Sequence, residues 1–256
     1  MILFPNAKIN IGLFVTEKRT NGFHNLETIF YPVTHMADIL EIKQADAPNG
    51  TVNFKNSGLV IDCPEEKNLV IKAYRLLEKH FTLPAVNIHL HKIIPFGAGL
   101  GGGSSDAAFT LVGLNSMFNL GLSQEDLEGY AAELGSDCAF FIKNKPAYAH
   151  GRGEILEPID LNLDQYQILV EKPDVSVSTK EAYSGITPTP APFDLRTINS
   201  LPIEEWQNNI INDFEKSILI AHPEIAEYKD MMYKKGAVYA SMSGSGSAVF
   251  GIFKRD

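Results

Sequence analysis

The sequence lacks any apolar run of the length that a membrane-spanning helix requires, about 18 residues or more. No membrane association is therefore expected. The first residues lack the basic leader and apolar segment of a secretory signal, so we expect a cytoplasmic protein. Clusters of lysine and arginine are missing too. The formal net charge of −9 repels polyphosphate backbones, so nucleic acid is not an expected partner.

Cysteine is scarce as well, with Cys63 and Cys138 lying far apart, which excludes a disulfide framework. The sequence has no CxxC pair, so the cysteines do not indicate a metal site. His89 and His91 share one face of a predicted strand, but no third ligand accompanies them. An exposed strand face is therefore favoured over a metal site. Cys138 has no histidine partner in the sequence and is interpreted as a small core side chain.

Strand and helix patterns are interleaved along the chain, which indicates an α+β protein in two halves. Lys8 and Asn10 alternate with apolar residues, so both are placed on the open face of a half-buried first strand. The ligand site is expected between the halves. Strands are predicted at residues 8–15, 28–33, 39–43, 51–54, 86–91, 238–242 and 247–253, and helices at 68–80, 104–118, 123–135, 203–219 and 223–235.

The strongest functional signal is a glycine-rich loop at residues 95–105. Five glycines within seven residues remove side chains where the main chain must approach another group closely. The loop leads into an alanine-rich helix whose first amides and partial positive charge suit an anion. Ser104 and Ser105 add hydroxyl donors at the same place. The loop therefore predicts a phosphate site, and a loop without a ligand is the less favoured alternative.

This loop differs from other nucleotide-binding motifs. A Walker A loop ends in Gly-Lys-Ser/Thr, whereas this one ends in Gly-Ser-Ser. It matches GxGxxG, but a dinucleotide site needs an acidic residue about 20 positions later, where Leu122 stands. No HRD or DFG triplet of a protein kinase occurs. A dinucleotide oxidoreductase is therefore disfavoured.

The loop resembles the second motif of the GHMP kinases, the superfamily of galactokinase, homoserine kinase and mevalonate kinase. Residues 5–10 (PNAKIN) resemble the first motif of that superfamily, and residues 241–247 (SMSGSGS) resemble its third. Residues 134–141 (LGSDCAFF) and 212–215 (NDFE) add further matches. The resemblance thus extends over nearly the whole chain.

The fold that this resemblance implies is α+β, the two-domain GHMP kinase fold. It places a ribosomal-S5-like amino-terminal domain at residues 1–155. A ferredoxin-like carboxy-terminal domain follows at residues 156–256. The implied activity is that of an ATP-dependent small-molecule kinase. Mg²⁺ is expected with ATP, because a bridging cation neutralises the phosphates.

The resemblance also assigns a catalytic pair, with Asp137 as general base and Lys8 as its partner. A carboxylate can take the proton of an alcohol during phosphoryl transfer, and an adjacent ammonium lowers its pKa and offsets developing charge. Asn68 and Lys92 are placed near the adenine, although Asn68 could equally cap its helix. Asp106 could suit the helix dipole or touch ribose. The implied ATP-binding residues of the loop are Pro95, Gly97, Ala98, Gly99, Leu100, Gly101, Gly102, Gly103, Ser104 and Ser105.

Residues 21–28 (NGFHNLET) resemble those members of the superfamily that phosphorylate the 2-hydroxyl of a cytidine diphosphate sugar alcohol, in the synthesis of isoprenoid precursors. The resemblance makes His24 the reader of the cytosine edge, with Phe23 and Tyr183 as aromatic walls. Stacking contributes about 1–3 kcal/mol per base. Members commonly carry Tyr where Phe23 stands, so a phenolic hydroxyl is lost here. Asn10 is implied near the reacting hydroxyl, and Gly244 among the substrate-binding residues.

Two alternatives stay open at the level of the sequence. The first is a related GHMP enzyme that phosphorylates another alcohol, such as mevalonate or homoserine. The second is a nucleotide-binding regulator without catalysis. The expected partner is a small-molecule substrate in each enzymatic case, and no obligate protein partner is evident.

Overall fold

The structure is a computed structural model that describes residues 1–60 and 63–255. Its strands are β1 (Ile2–Leu3), β2 (Asn6–Lys18), β3 (His24–Ala37), β4 (Ile39–Gln44), β5 (Val52–Gly58), β6 (Val86–Lys92), β7 (Ala147–His150), β8 (Ile155–Pro158), β9 (Tyr166–Glu171), β10 (Tyr239–Met242) and β11 (Val249–Lys254). Its α-helices are α1 (Leu69–Glu78), α2 (Gly102–Phe118), α3 (Gln124–Leu134), α4 (Phe140–Lys143), α5 (Thr179–Ser184), α6 (Trp206–Asn209), α7 (Glu215–Ala221) and α8 (Pro223–Lys234). Within the described ranges, no helix has the length and apolar character to cross a bilayer.

The chain forms two compact units that interleave along the sequence. The first unit comprises Met1–Ala7, Val33–Phe96 and Gly101–Lys145, and the second comprises Lys8–Pro32, Gly97–Leu100 and Pro146–Asp256. The glycine-rich loop is thus divided, with its middle in the second unit. The boundary expected between residues 155 and 156 stays a prediction.

The first unit is a four-stranded sheet with helices on one face. The strand order is β1-β4-β6-β5, in which β4 is antiparallel and β5 parallel to β6. Along β6 the side chains of Val86, Ile88 and Leu90 are buried and alternate with more exposed ones, as the sequence predicted. These side chains form one core with residues of α1 and α2, including Tyr74 and Leu111.

Local signals explain where the helices of this unit begin. The Asn68 side chain accepts a hydrogen bond from Val70 N at 2.9 Å, so it caps α1. Ser123 and Asp126 form a capping box at the start of α3. The residue before α2 is Gly101, which has a φ of 69° and supplies no capping side chain. The amino end of α2 therefore keeps unsatisfied amides.

The second unit contains a sheet of order β2-β3-β7-β8 and another of order β10-β11-β9. Helices α7 and α8 pack with residues of β2, β10 and β11 in one core, which includes Val15, Phe214, Ile218, Met232 and Val249. The apolar side chains of Trp206, Ile210, Phe214 and Ile218 are buried as well.

Two expectations about local structure are wrong. The first strand is not half-buried, because Lys8 and Asn10 are each only 3% exposed. The helix expected at 203–219 is broken, because Leu13 lies beside Asn212 in an isolated parallel bridge and residues 210–214 leave the helical conformation.

Candidate functional site

A buried polar network in the second unit surrounds Lys8. The Lys8 ammonium donates to Asn10 Oδ1 at 2.6 Å and lies 4.7 Å from the centroid of the Phe30 ring. Asn10 Nδ2 donates to Thr28 Oγ1 at 3.0 Å, and Thr28 Oγ1 donates to the Gly12 carbonyl at 2.5 Å. Each polar group thus has a partner, which explains why β2 tolerates polar side chains in a buried position. The network fixes the orientation of the Asn10 amide.

The carbonyl groups of the glycine loop are held by the second unit. Ala98 O accepts from Ala248 N at 3.2 Å, Gly99 O from Ser243 Oγ at 2.8 Å, and Leu100 O from Lys8 N at 2.9 Å. Gly99 has a φ of 75°, and an added Cβ would lie 1.9 Å from the Ser243 carbonyl oxygen. The loop therefore needs glycine here to pack against the third motif.

The third motif meets the first in the same unit. Ser243 Oγ accepts from Asn10 N at 3.3 Å. A Cβ added to Gly244, whose φ is 56°, would lie 3.3 Å from Asn10 Oδ1. The structure therefore brings together Lys8, Asn10 and Gly244 from the sequence-predicted site residues, beside Gly99.

The NDFE segment, residues 212–215, makes hydrogen bonds to the main chain of the third motif. Asn212 Nδ2 donates to the carbonyl oxygens of Met242 and Gly244 at 2.8 Å each, and Asn212 Oδ1 accepts from Phe214 N at 3.0 Å. Glu215 Oε1 accepts from Met242 N at 2.7 Å. The segment matched by resemblance alone is thus a set of buried supports for the third motif.

The amino end of α2, in the first unit, carries the rest of the predicted phosphate site. Gly102, Gly103 and Ser104 are its first three residues, and the first intrahelical bond of this end runs from Ser105 N to Gly101 O at 2.9 Å. Among the described residues, the buried Ser105 hydroxyl has no hydrogen-bond partner. The free amides and this hydroxyl suit phosphate oxygens.

Lys92 and Asp106 meet in the interior of the first unit. Lys92 is 1% exposed, and its ammonium donates to Asp106 Oδ2 at 2.8 Å and also to Asp38 Oδ2. The structure thus shows two carboxylate partners for Lys92, while a contact of Lys92 or Asn68 with adenine stays a prediction. Pro95 precedes this region in the first unit.

Asp137 lies half-buried in the turn between α3 and α4 of the first unit. Its neighbour Cys138 is fully buried, which confirms the core interpretation. Burial is the main cause that raises the pKa of the Cys138 thiol to about 11, so it stays protonated at neutral pH. Lys8 belongs to the second unit, so the pairing of Lys8 with Asp137 stays a prediction.

The predicted cytosine pocket contains a row of aromatic rings in the second unit. His24 and Tyr183 stack with centroids 4.8 Å apart and an interplanar angle of 21°, and Tyr183 meets Phe214 edge-on at 4.9 Å. His24 and Tyr183 are in direct contact, so no base fits between these two rings. Burial, followed by the charge of Lys18, lowers the pKa of His24, which keeps the ring neutral at pH 7.

Phe23, at the tip of the β2–β3 hairpin, is 54% exposed. The Arg152 guanidinium carbon lies 5.2 Å from the centroid of its ring. Arg152 Nε donates to Glu154 Oε1 at 3.3 Å. Sequence reasoning missed Arg152 and Asp38, and it assigned no role to Thr28 and Ser243, although these two stand in matched segments. The partners of all four are distant in the sequence, so no local spacing reveals them.

The two strand histidines contact the same serine side chain. Ser57 Oγ lies 2.8 Å from His89 Nε2 and 2.9 Å from His91 Nδ1. Among the described residues, no group of three or more His, Cys, Asp or Glu side chains could hold a metal ion. The exposed strand face that the sequence favoured accounts for both histidines.

Comparisons with known proteins agree over the whole chain. The family described as GHMP kinases N terminal domain matches residues 68–145, and GHMP kinases C terminal matches residues 200–256. A 4-diphosphocytidyl-2-C-methyl-D-erythritol kinase of Bacteroides fragilis is 56% identical over 99% of this chain and 92% of its own length. That of Parabacteroides distasonis is 50% identical over 100% of this chain and 92% of its own.

Solved structures give the same result for the fold. The crystal structure of a 4-(cytidine 5'-diphospho)-2C-methyl-D-erythritol kinase matches with a TM-score of 0.84 and 32% identity, covering 98% of this chain and 90% of that one. Homoserine kinase from Cytophaga hutchinsonii matches with a TM-score of 0.72 at 19% identity, covering 98% and 85%, which shows the fold alone. The predicted α+β GHMP fold is confirmed.

Replacing Asn212 with alanine should destabilise the protein by about 3 kcal/mol, because the carbonyl oxygens of Met242 and Gly244 lose buried donors. Urea unfolding measures this change. The matched control is Asn209→Ala, since Asn209 makes one exposed bond to Glu205 O and its loss should change stability by less than about 0.5 kcal/mol. Equal effects of the two variants would show that the NDFE segment is not a support.

Proposed function

Because the chain belongs to the 4-diphosphocytidyl-2-C-methyl-D-erythritol kinase family, within the GHMP kinases, we propose that it phosphorylates the 2-hydroxyl of that compound. The protein is an ATP-dependent kinase, with ATP as co-substrate. The observation that carries the proposal is full-length identity of 56% to a relative of this name. The product serves the synthesis of isoprenoid precursors.

Activation of the hydroxyl is assigned to Asp137 and Lys8. Asp137 accepts the proton of the 2-hydroxyl as the phosphoryl group transfers, which turns a poor nucleophile into an alkoxide-like one. Lys8 offsets the negative charge that develops. The contact of the Lys8 ammonium with Asn10 Oδ1 at 2.6 Å supports this role, because it holds the cation in one place before substrate binds.

Binding of the ATP phosphates is assigned to the loop and to the uncapped end of α2. Main-chain amides supply hydrogen bonds there, and the partial positive charge of the helix favours the polyanion. Mg²⁺ is expected with ATP, and it would neutralise part of the charge of the phosphates that the loop and α2 would hold. The unpartnered hydroxyl of Ser105 supports the assignment, since a buried polar group needs a partner.

Recognition of the cytidine part is assigned to the aromatic row. A neutral His24 can donate and accept hydrogen bonds at the base edge, and Phe23 supplies an exposed ring face for stacking. Tyr183 supports His24 from behind, which is consistent with their direct stacking.

The decisive test is an ATP-consumption assay with 4-diphosphocytidyl-2-C-methyl-D-erythritol, run beside mevalonate and homoserine. Activity with the first compound is expected, and Asp137→Asn should lower kcat by at least about a hundredfold. The matched control is Glu133→Gln, an acid-to-amide change at an exposed position near the end of α3, which should leave kcat unchanged. Turnover of another alcohol alone, or full activity of the Asp137 variant, would contradict the proposal or the assigned base.

Gly103 provides a sharp test of the phosphate site. Its backbone is right-handed helical, and an added Cβ would meet only Leu69 Cδ1 at 3.8 Å, an ordinary contact. Gly103→Ala should therefore leave stability unchanged or raise it by up to about 1 kcal/mol. The KM for ATP should rise at least about tenfold, because the methyl group occupies space near the bound phosphates.

The control for this variant is Gly129→Ala, another helical glycine with open space at its Cβ, in α3. It should affect stability in the same direction and leave the KM for ATP unchanged. Steady-state kinetics and thermal unfolding of both variants give the answer. If the KM for ATP of Gly103→Ala is unchanged, the ATP phosphates do not bind at this end of α2.

Phe23→Ala tests the cytidine assignment. Loss of stacking should raise the KM for the cytidine substrate about tenfold and leave the KM for ATP unchanged. Phe4→Ala is the control, because Phe4 is similarly exposed at 60% and has no assigned role. An unchanged KM for the cytidine substrate would exclude Phe23 as a stacking wall.

A further inference from the structure

The interior of the first unit contains three charged side chains, and they contact one another. Asp38, Lys92 and Asp106 are 0%, 1% and 3% exposed. Lys92 Nζ donates to Asp38 Oδ2 and to Asp106 Oδ2, and Asp38 Oδ1 accepts from the N–H groups of Ile93 and Ile94 at 2.5 and 2.8 Å. We call these three side chains the acid clamp. Asp38 immediately precedes β4, Lys92 is the last residue of β6, and Asp106 belongs to α2, so the clamp connects these three elements.

The acid clamp lies directly behind the phosphate-binding end of α2. Asp106 is the fifth residue of that helix, so it lies about 6 Å along the axis from Gly102. Lys92 reaches the helix end itself, since a Cβ added to Gly102 would lie 2.9 Å from Lys92 Nζ. Gly102 therefore packs without a side chain against Ile94 Cγ2, also at 2.9 Å, and against the Lys92 ammonium. The acid clamp thus contacts the first turn of α2 directly.

We propose that Asp38 and Lys92 are positioning residues that act through Asp106 on the nucleotide, fixing the amino end of α2 and holding beside it a carboxyl group that gains a proton when ATP binds. This inference rests on the proposed function, because it needs the ATP phosphates at that helix end. It concerns residues outside the assigned contacts with the reacting hydroxyl.

The charge balance of the clamp explains why Asp106 is the group that titrates. Two carboxylates share one ammonium, and Asp106 Oδ1 has no hydrogen-bond partner among the described residues. Burial is the largest cause that raises the pKa of Asp106, to about 7, against the opposing charge of Lys92, and the charge of Asp38 raises it further. Asp106 therefore exchanges its proton near neutral pH.

Among residues 1–60 and 63–255, no further charged side chain is buried in the first unit beside this carboxyl group. Helix α2 packs against α1, α3, α4 and β4, and the buried polar side chains described in the first unit include no further charged residue. The acids and bases of those elements, such as Lys72, Glu128 and Lys43, are outside the buried set. Among the described residues, Asp38 and Lys92 are therefore the charged side chains that act together with burial to set the proton affinity of Asp106.

The direction of the coupling follows from charge. A triphosphate at the amino end of α2 repels an ionised Asp106 about one turn away, so binding favours the protonated form. By linkage, the affinity for ATP falls as the pH rises through the titration of Asp106. A single charge at this distance corresponds to about five- to tenfold in affinity, since the site is partly screened by solvent.

The test measures the KM and Kd for MgATP from pH 6 to 9 in the wild-type enzyme, Asp106→Asn, Asp38→Asn and Thr110→Ala. The wild type should lose about five- to tenfold in affinity across the range, more than Asp106→Asn does. Asp38→Asn keeps an acceptor for Ile93 and Ile94 but removes a negative charge, so its inflection should move to lower pH. Ionisation of ATP itself is common to all four proteins and cancels in the differences.

Thr110→Ala is the structural control. The Thr110 hydroxyl is buried and donates to the Asp106 carbonyl at 2.7 Å, so its loss weakens the same helix but keeps the three charges. This variant should melt at a lower temperature and keep the pH profile of the wild type. A merely structural role of the clamp would make the Asp variants behave like this control.

Two further measurements keep the inference testable if one variant folds poorly. Calorimetry of ATP binding in two buffers counts protons, and at pH 7.5 the wild type should take up more than either aspartate variant. The melting-temperature gain of Asp106→Asn should be larger at pH 8 than at pH 5. The reason is that a folded-state pKa near 7, above the unfolded 3.8, removes stability as the pH rises between them.

Identical pH profiles and proton counts in wild type and Asp106→Asn would overturn the inference while leaving the kinase assignment intact. Failure of the unmodified enzyme to bind MgATP would overturn both. If the pH profile of Asp38→Asn coincides with that of the wild type, Asp38 does not influence the titration of Asp106.

Discussion

The candidate site depends on three hydrogen bonds that hold carbonyl groups of the glycine loop in place. Ala98, Gly99 and Leu100 each direct their carbonyl oxygen to a donor of the second unit. A peptide whose carbonyl is held has its orientation fixed, because the peptide bond is planar. The donors come from β2 and from the turn around β10 and β11. The first and third motifs are therefore needed for the shape of the second.

Much of the fold follows from periodicity, and the failures have identifiable causes. The alternation in β6 and the capping signals at Asn68 and Ser123 predict their elements because each signal is local. The burial of Lys8 could not be predicted from alternation, which reports the polarity of a side chain but not its partner. Residues 203–219 keep helical spacing, yet Asn212 interrupts the helix through bonds to Met242 and Gly244, about 30 residues away.

The glycine run shows how one composition serves different physical needs. The sequence analysis interprets all five glycines as positions without a side chain where the main chain approaches phosphate. In the structure Gly99 is required by the Ser243 carbonyl and Gly102 by Ile94 and the Lys92 ammonium, whereas Gly97 and Gly101, like Gly99, adopt positive φ. Gly103 has neither constraint. Packing and backbone conformation therefore account for four of the five glycines, and Gly103 is the position at which the phosphate proposal can be tested separately.

In an acidic protein, the binding of a polyanion depends on where the positively charged groups lie. The formal net charge is −9, and the buried cations among the described residues are Lys8 and Lys92. Lys92 is offset by two carboxylates, so it contributes little field at the helix end while Asp106 is ionised. The partial positive charge at the amino end of α2 then remains as the feature of the first unit that favours an anion. A proton on Asp106 leaves one ammonium beside one carboxylate, so the acid clamp loses its net negative charge and no longer repels a polyanion at the helix end.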